Sequence, residues 1–287
     1  MGGFLGYNRF VYIINDLNIR WAHGYASLGR KDGISEAMIQ ASSLRYFSRL
    51  EENELEGGAG LVIHELGHNL GVHHANYLAC SDVSIEYDVS ECTYLAYADS
   101  YDVMGRWYAP MHFNAPHKET LGWLSSNNIQ EITSSGIYTL DPLELPSLGI
   151  QVLKIPISLS HGKDWYYTEY RAPIGFDNRE GLYKYNKGPF LHLKIFLESN
   201  FASGDTYLID VTPYSTTGKI GVSVYVGTTY IDPIGGFSIT TLKADDIGAV
   251  VAIEFPGQPL PGKPFNKFIR GDANRDGQMD LSDAIFA

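Results

Sequence analysis

Between residues 64 and 74 the chain reads His-Glu-Leu-Gly-His-Asn-Leu-Gly-Val-His-His. No other stretch restricts the fold as much. His64 and His68 are four residues apart, so a helix brings both rings to one face, one turn apart. Two imidazoles so placed can share one zinc ion, each at about 2.0–2.1 Å. Glu65 lies beside the first of them, where it can take a proton from a zinc-activated water. His74 adds a second condition. On an unbroken helix it would lie roughly 15 Å along the axis from His64, too far to join the same ion. The chain must therefore turn, and Gly71 is where it can, because glycine ends helices in the left-handed conformation at little cost. Three neutral histidines leave a fourth position for water, the arrangement of a catalytic zinc site rather than a closed structural one. His73 misses this spacing and is expected to be a bystander or a support standing behind the ligands.

This H-E-x-x-H-x-x-G-x-x-H run resembles the metzincin zinc peptidases. Further along, Asp99-Ser100-Tyr101-Asp102-Val103-Met104-Gly105 places a methionine in a tight turn, as the metzincin Met-turn does. The resemblance implies that the Met104 thioether is an apolar floor under the three imidazoles. Then Asn114-Ala115-Pro116 and Leu121-Gly122-Trp123 frame a short helix, capped by Asn114 and stopped by Gly122. Together with the Met104 segment they resemble the gametolysin (autolysin-like) branch. The resemblance spans roughly residues 8 to 255 and is strongest from 61 to 123. It implies zinc as cofactor, Glu65 as general base and extracellular protein or peptide substrates, such as cell-wall or matrix glycoproteins. Some metzincins carry a tyrosine two residues after the methionine. Here that position is Arg106, and Tyr108, the nearest tyrosine downstream, is the candidate transition-state stabiliser. His112 and His117 are expected to be structural or surface residues.

The remaining sequence sets the architecture expected around this site. The 287 residues suffice for one large domain or two ordinary ones. A net charge of −12 argues against nucleic acid and anionic membrane surfaces as partners, and no apolar run is long enough to span a membrane. Residues 10–15 read as a buried strand and 21–30 as a loop. Residues 35–50 read as a helix capped by Ser35, and 51–60 as a surface loop, with the active-site helix starting near Ala59. The two cysteines, Cys80 and Cys92, suggest a disulfide closing a short loop, with free buried thiols as the alternative. From Glu131 short apolar segments alternate with Pro, Gly, Asp and Asn turns, the pattern of an antiparallel β-sandwich or jelly-roll-like domain. The aromatic run 165–170 suits strand packing better than a carbohydrate platform.

The expected fold class is therefore α+β. A metzincin-type zinc peptidase domain over residues 1–130, N-terminally truncated, precedes a β-sandwich domain over 131–255. A proline- and glycine-rich linker follows over 256–268. Residues 269–287 contain Asp272, Asn274, Asp276, Asp280 and Asp283 at the spacing of an EF-hand-type calcium loop, with Gly277 at its sixth position. This segment resembles half of a type I dockerin repeat. It implies a calcium ion and, through the complete dockerin, a cohesin-like partner. The absence of a signal peptide at Met1 fits a fragment of a longer secreted precursor. Two rival functions differ in kind from a secreted endopeptidase: an adhesion, glycan- or protein-binding module with a vestigial zinc site, and a component whose role is cohesin docking.

Overall fold

The computed structural model describes residues 9–14, 24–29, 35–48, 54–80, 82–105, 110–159, 162–178, 190–194, 204–213 and 221–261. The chain is α+β, with mostly sheets and few helices. A small sheet comes first: β1 (Arg9–Ile14), β2 (Gly24–Ala26) and β3 (Ser35–Gln40), in the order β1-β3-β2. β3 runs parallel to β1 and antiparallel to β2. Two helices follow, α1 (Ala41–Ser48) and α2 (Glu54–Leu70). Ile39 of β3 and Leu61 of α2 pack together with Leu44 and Val62, fixing the helix against the sheet.

Four expectations fail in this region. Residues 35–40 form a strand, not the start of a helix, and Ser35 caps nothing. Ser35, Ala37 and Ile39 are buried while Glu36 and Met38 are exposed, an alternation of period two. Pairing on both edges overrides the helical spacing of the apolar residues. β1 is not buried: Val11, Tyr12 and Ile13 are exposed, because β1 lies at the sheet edge. Helix α2 starts at Glu54 and runs through Gly57, Gly58 and Gly60. Packing outweighs a glycine penalty of about 1 kcal/mol per position. His23 and Trp21 lie outside the described residues, and Gly24–Ala26, expected in a loop, is strand β2.

The larger sheet has seven strands. They are β4 (Ala75–Ala79), β5 (Thr93–Leu95), β6 (Ile129–Glu131), β8 (Val152–Leu159), β9 (Gly162–Glu169), β10 (Phe190–Lys194) and β11 (Thr206–Ile209), following β7 (Gly136–Leu140) in the numbering of a separate sheet. Their order is β5-β4-β11-β10-β9-β8-β6. The third sheet is antiparallel, with β12 (Thr229–Ile231), β13 (Ser238–Asp245), β14 (Gly248–Glu254) and β7 in that order. The two sheets share a core. Leu78, Ile155, Tyr166 and Ile209 from the first meet Leu140, Ile239, Val251 and Ile253 from the second. Residues 221–226, one of the short apolar segments after Glu131, form no named strand and make only isolated bridges at Ser223 and Val226.

The seven-stranded sheet takes strands from both sides of residue 130. β4 follows His74 directly and pairs in parallel with β11, matching Thr206 to Ala75 and Ile209 to Leu78. The helix α3 (Ala115–Leu121) closes the arrangement. The Asn114 side chain caps it by accepting from the His117 N–H, and Gly122 ends it in the left-handed region at φ 72°. Cys80 and Cys92 form a disulfide with Cα atoms 4.3 Å apart, linking the segments that lead out of β4 and into β5. Tyr166, Tyr167 and Tyr170 are buried, so the aromatic run on β9 serves packing.

Candidate metal centre

Helix α2 carries His64, Glu65 and His68, and it stops where the sequence allows. Gly71 has φ 103°, and its N–H donates to the carbonyls of Gly67 and His68. The Val72 N–H reaches back to the Gly67 carbonyl at 3.1 Å. This six-to-one bond is the Schellman closure, and only glycine enters it without strain. Three residues later His74 faces the helix. One ring nitrogen from each of His64, His68 and His74 lies within 4.8 Å of the others, so the triad can hold a metal ion. His68 Nε2 and His74 Nε2 are 3.1 Å apart. Two nitrogens on one tetrahedral zinc would stand about 3.3 Å apart, given bonds of 2.0–2.1 Å.

Two of the rings are aimed by backbone carbonyls, and the third histidine is held through its main chain. His64 Nδ1 lies 2.9 Å from the Val103 carbonyl, and His68 Nδ1 lies 2.9 Å from the Val72 carbonyl. A carbonyl only accepts, so both Nδ1 atoms carry the proton and both Nε2 lone pairs are left for a ligand. The His74 N–H donates to Asp205 Oδ1 at 3.1 Å, and Asp205 Oδ2 accepts from the Asn76 amide at 2.8 Å. Burial, then neighbouring His68, push the His64 ring down to about 4. Burial, then His68 and His64, push His74 down to about 3. Burial also lowers His68. All three are therefore neutral near pH 7, the form that binds metal.

Glu65 is buried beside them, and its carboxyl is raised to about 7 by desolvation. Its side chain lies against Gly24, where a Cβ would collide with it. Met104 is fully buried with Val72, Ala75, Met111 and Phe113, and its sulfur occupies the space that a Cβ on Gly67 would need. The thioether thus sits against α2 between the turns bearing His64 and His68. Asp102 holds this turn. It accepts from the Met104 N–H at 2.6 Å, from the Asn114 N–H at 2.7 Å and from His117 Nδ1 at 2.8 Å.

The structure therefore brings His64, Glu65, His68, His74 and Met104 together. His73 is not in the triad, and its Nδ1 lies 3.9 Å from Asp205, the carboxylate that holds the His74 main chain. His117 is structural, buried on Asp102, and the His112 ring lies 5.7 Å from that of Phe176 at a tilt of 56°. Tyr108 and the calcium-loop residues Asp272, Asn274, Asp276, Asp280 and Asp283 lie outside the described residues. Four neighbours were missed: Asn76, Tyr97, Asp102 and Asp205. Only Asp102 had a local signal, as an Asp two residues before a turn methionine. The Tyr97 ring lies 4.3 Å from that of His74. Its phenol is raised by burial, then by the nearby charges of Glu65 and Asp205. No helix among the described residues is long and apolar enough to cross a membrane. The chain matches no protein-family model, curated protein or solved structure.

Proposed function

We propose that the chain is a zinc-dependent endopeptidase of metzincin type, acting on extracellular proteins. One observation carries this reading: three imidazole nitrogens converge within 4.8 Å beside a buried carboxyl group. The donor set fits zinc, since three histidines leave a position free. Zinc held there would supply Lewis-acid chemistry, making water acidic near pH 7 and polarising the scissile carbonyl.

The chain's own groups do the rest. Glu65 sits next to the triad, with a proton affinity suited to transfer near neutral pH. It takes the proton of the attacking water and returns it to the leaving amine. The Val103 and Val72 carbonyls hold the His64 and His68 ring orientations, and Asp205 holds the backbone of His74. β2 is an edge strand among the described residues, and Gly24 on it touches Glu65. An extended peptide pairing with that edge would pass the carboxyl. The Cys80–Cys92 disulfide supports a secreted protein. No serine or cysteine nucleophile enters this mechanism.

Metal removal tests it. The zinc-loaded chain should cleave casein. A chelator should abolish cleavage, and added zinc should restore it. Cleavage that survives full zinc removal would sink the proposal.

A further inference from the structure

Tyr97 approaches the centre from a segment that the histidine motif does not include. Its ring lies 4.3 Å from that of His74 and 6.0 Å from that of His64, centroid to centroid. It is 43% exposed, so it is open to solvent beside the ligand cluster. Its backbone is held in an unusual shape. At φ 58°, Tyr97 is the only non-glycine residue in the left-handed region among the described residues. Such a conformation persists only where the surroundings impose it, and it collects at functional sites.

The surroundings here are specific. The Tyr97 N–H donates to Asn76 Oδ1 at 3.1 Å. The Asn76 amide donates to Asp205 Oδ2, and Asp205 Oδ1 accepts the His74 N–H. Asn76 and Asp205 are both buried. One polar chain therefore fixes the backbones of Tyr97 and the third histidine together. No described residue hydrogen-bonds the Tyr97 hydroxyl.

We propose that Tyr97 is a further catalytic residue of this centre, its phenolic hydroxyl donating a hydrogen bond to the scissile carbonyl oxygen as negative charge gathers there. The role rests on the peptidase reading. It matches a preorganised donor that strengthens only in the transition state. It also differs from the expectation for Tyr108, which lies four residues beyond Met104 rather than seven before it.

The test is Tyr97→Phe, which keeps the ring and removes only the oxygen. Wild type, Tyr97→Phe and Glu65→Ala chains are zinc-loaded, their metal content is measured, and casein hydrolysis is followed over a range of substrate concentrations. The expected result is a kcat reduced by about 10²–10³-fold in Tyr97→Phe, with KM changed less than threefold and one zinc per chain retained. A kcat equal to wild type would overturn the role of Tyr97 and leave the peptidase reading intact. A loss proportional to lost zinc would also overturn it, making Tyr97 a support for the metal site. A wild-type chain that holds zinc and cuts nothing would overturn the peptidase reading, and this proposal with it.

Discussion

Asp102 shows how much of the centre depends on a residue that touches no ligand ring. Burial by itself pushes its carboxyl up. The His117 ring and the N–H groups of Asn114 and Met104 outweigh that and hold it below the usual carboxylate range. A carboxyl with a depressed folded value contributes stability that is fully present above its unfolded value, about 3.9, and is lost as pH falls through the folded value. Asp102→Asn should therefore lower unfolding free energy at pH 7 by roughly 1–3 kcal/mol and remove part of the acid-induced loss expected of the wild type. Urea denaturation at a series of pH values between 7 and 3 checks both effects. Parallel curves for the two proteins would contradict the assignment. The partners of Asp102 were partly visible in the sequence, because Asn114 is a cap and Met104 a turn residue. The hydrogen bonds joining those two features through one carboxylate were not.

At the scale of elements, the end of α2 was legible and its start was not. Gly71 is a single residue whose backbone freedom decides one event, so its role could be read locally. The start at Glu54 depends on how the helix packs on a strand more than ten residues upstream. β3 was misread for the same reason: strand pairing on two sides is a tertiary fact that apolar spacing does not report. The Gly71 turn also makes a prediction. A Cβ there would meet strain at φ 103° and press on the Gly29 carbonyl at 3.1 Å. Left-handed backbone costs an ordinary residue about 1–2 kcal/mol, and a β-branched one more. Gly71→Val should displace His74 and weaken zinc binding at least tenfold, while the helical circular dichroism is kept. Competition against a chromogenic chelator measures this. Unchanged affinity would show that the turn does not set the third ligand.

Across the whole molecule, the centre draws on distant parts of the chain. The His74 carbonyl accepts from Thr206 N–H at 3.0 Å, and the His74 N–H is held by Asp205. These partners lie more than 130 positions away in sequence. The motif predicts which residues meet but not what braces them, because the bracing is made by a parallel strand pair, β4 with β11, that has no local signature. The motif's chemistry was legible because three ligands and a carboxyl group occur within eleven residues. The most direct measurement compares casein cleavage by the zinc-loaded wild type and by Glu65→Ala, with zinc content determined for both. Removing the carboxyl leaves the three histidines intact and takes away the proton carrier. The account predicts equal zinc, cleavage by wild type, and a loss of at least about 10²-fold in the variant. A variant that holds zinc and cuts as fast as wild type would contradict it.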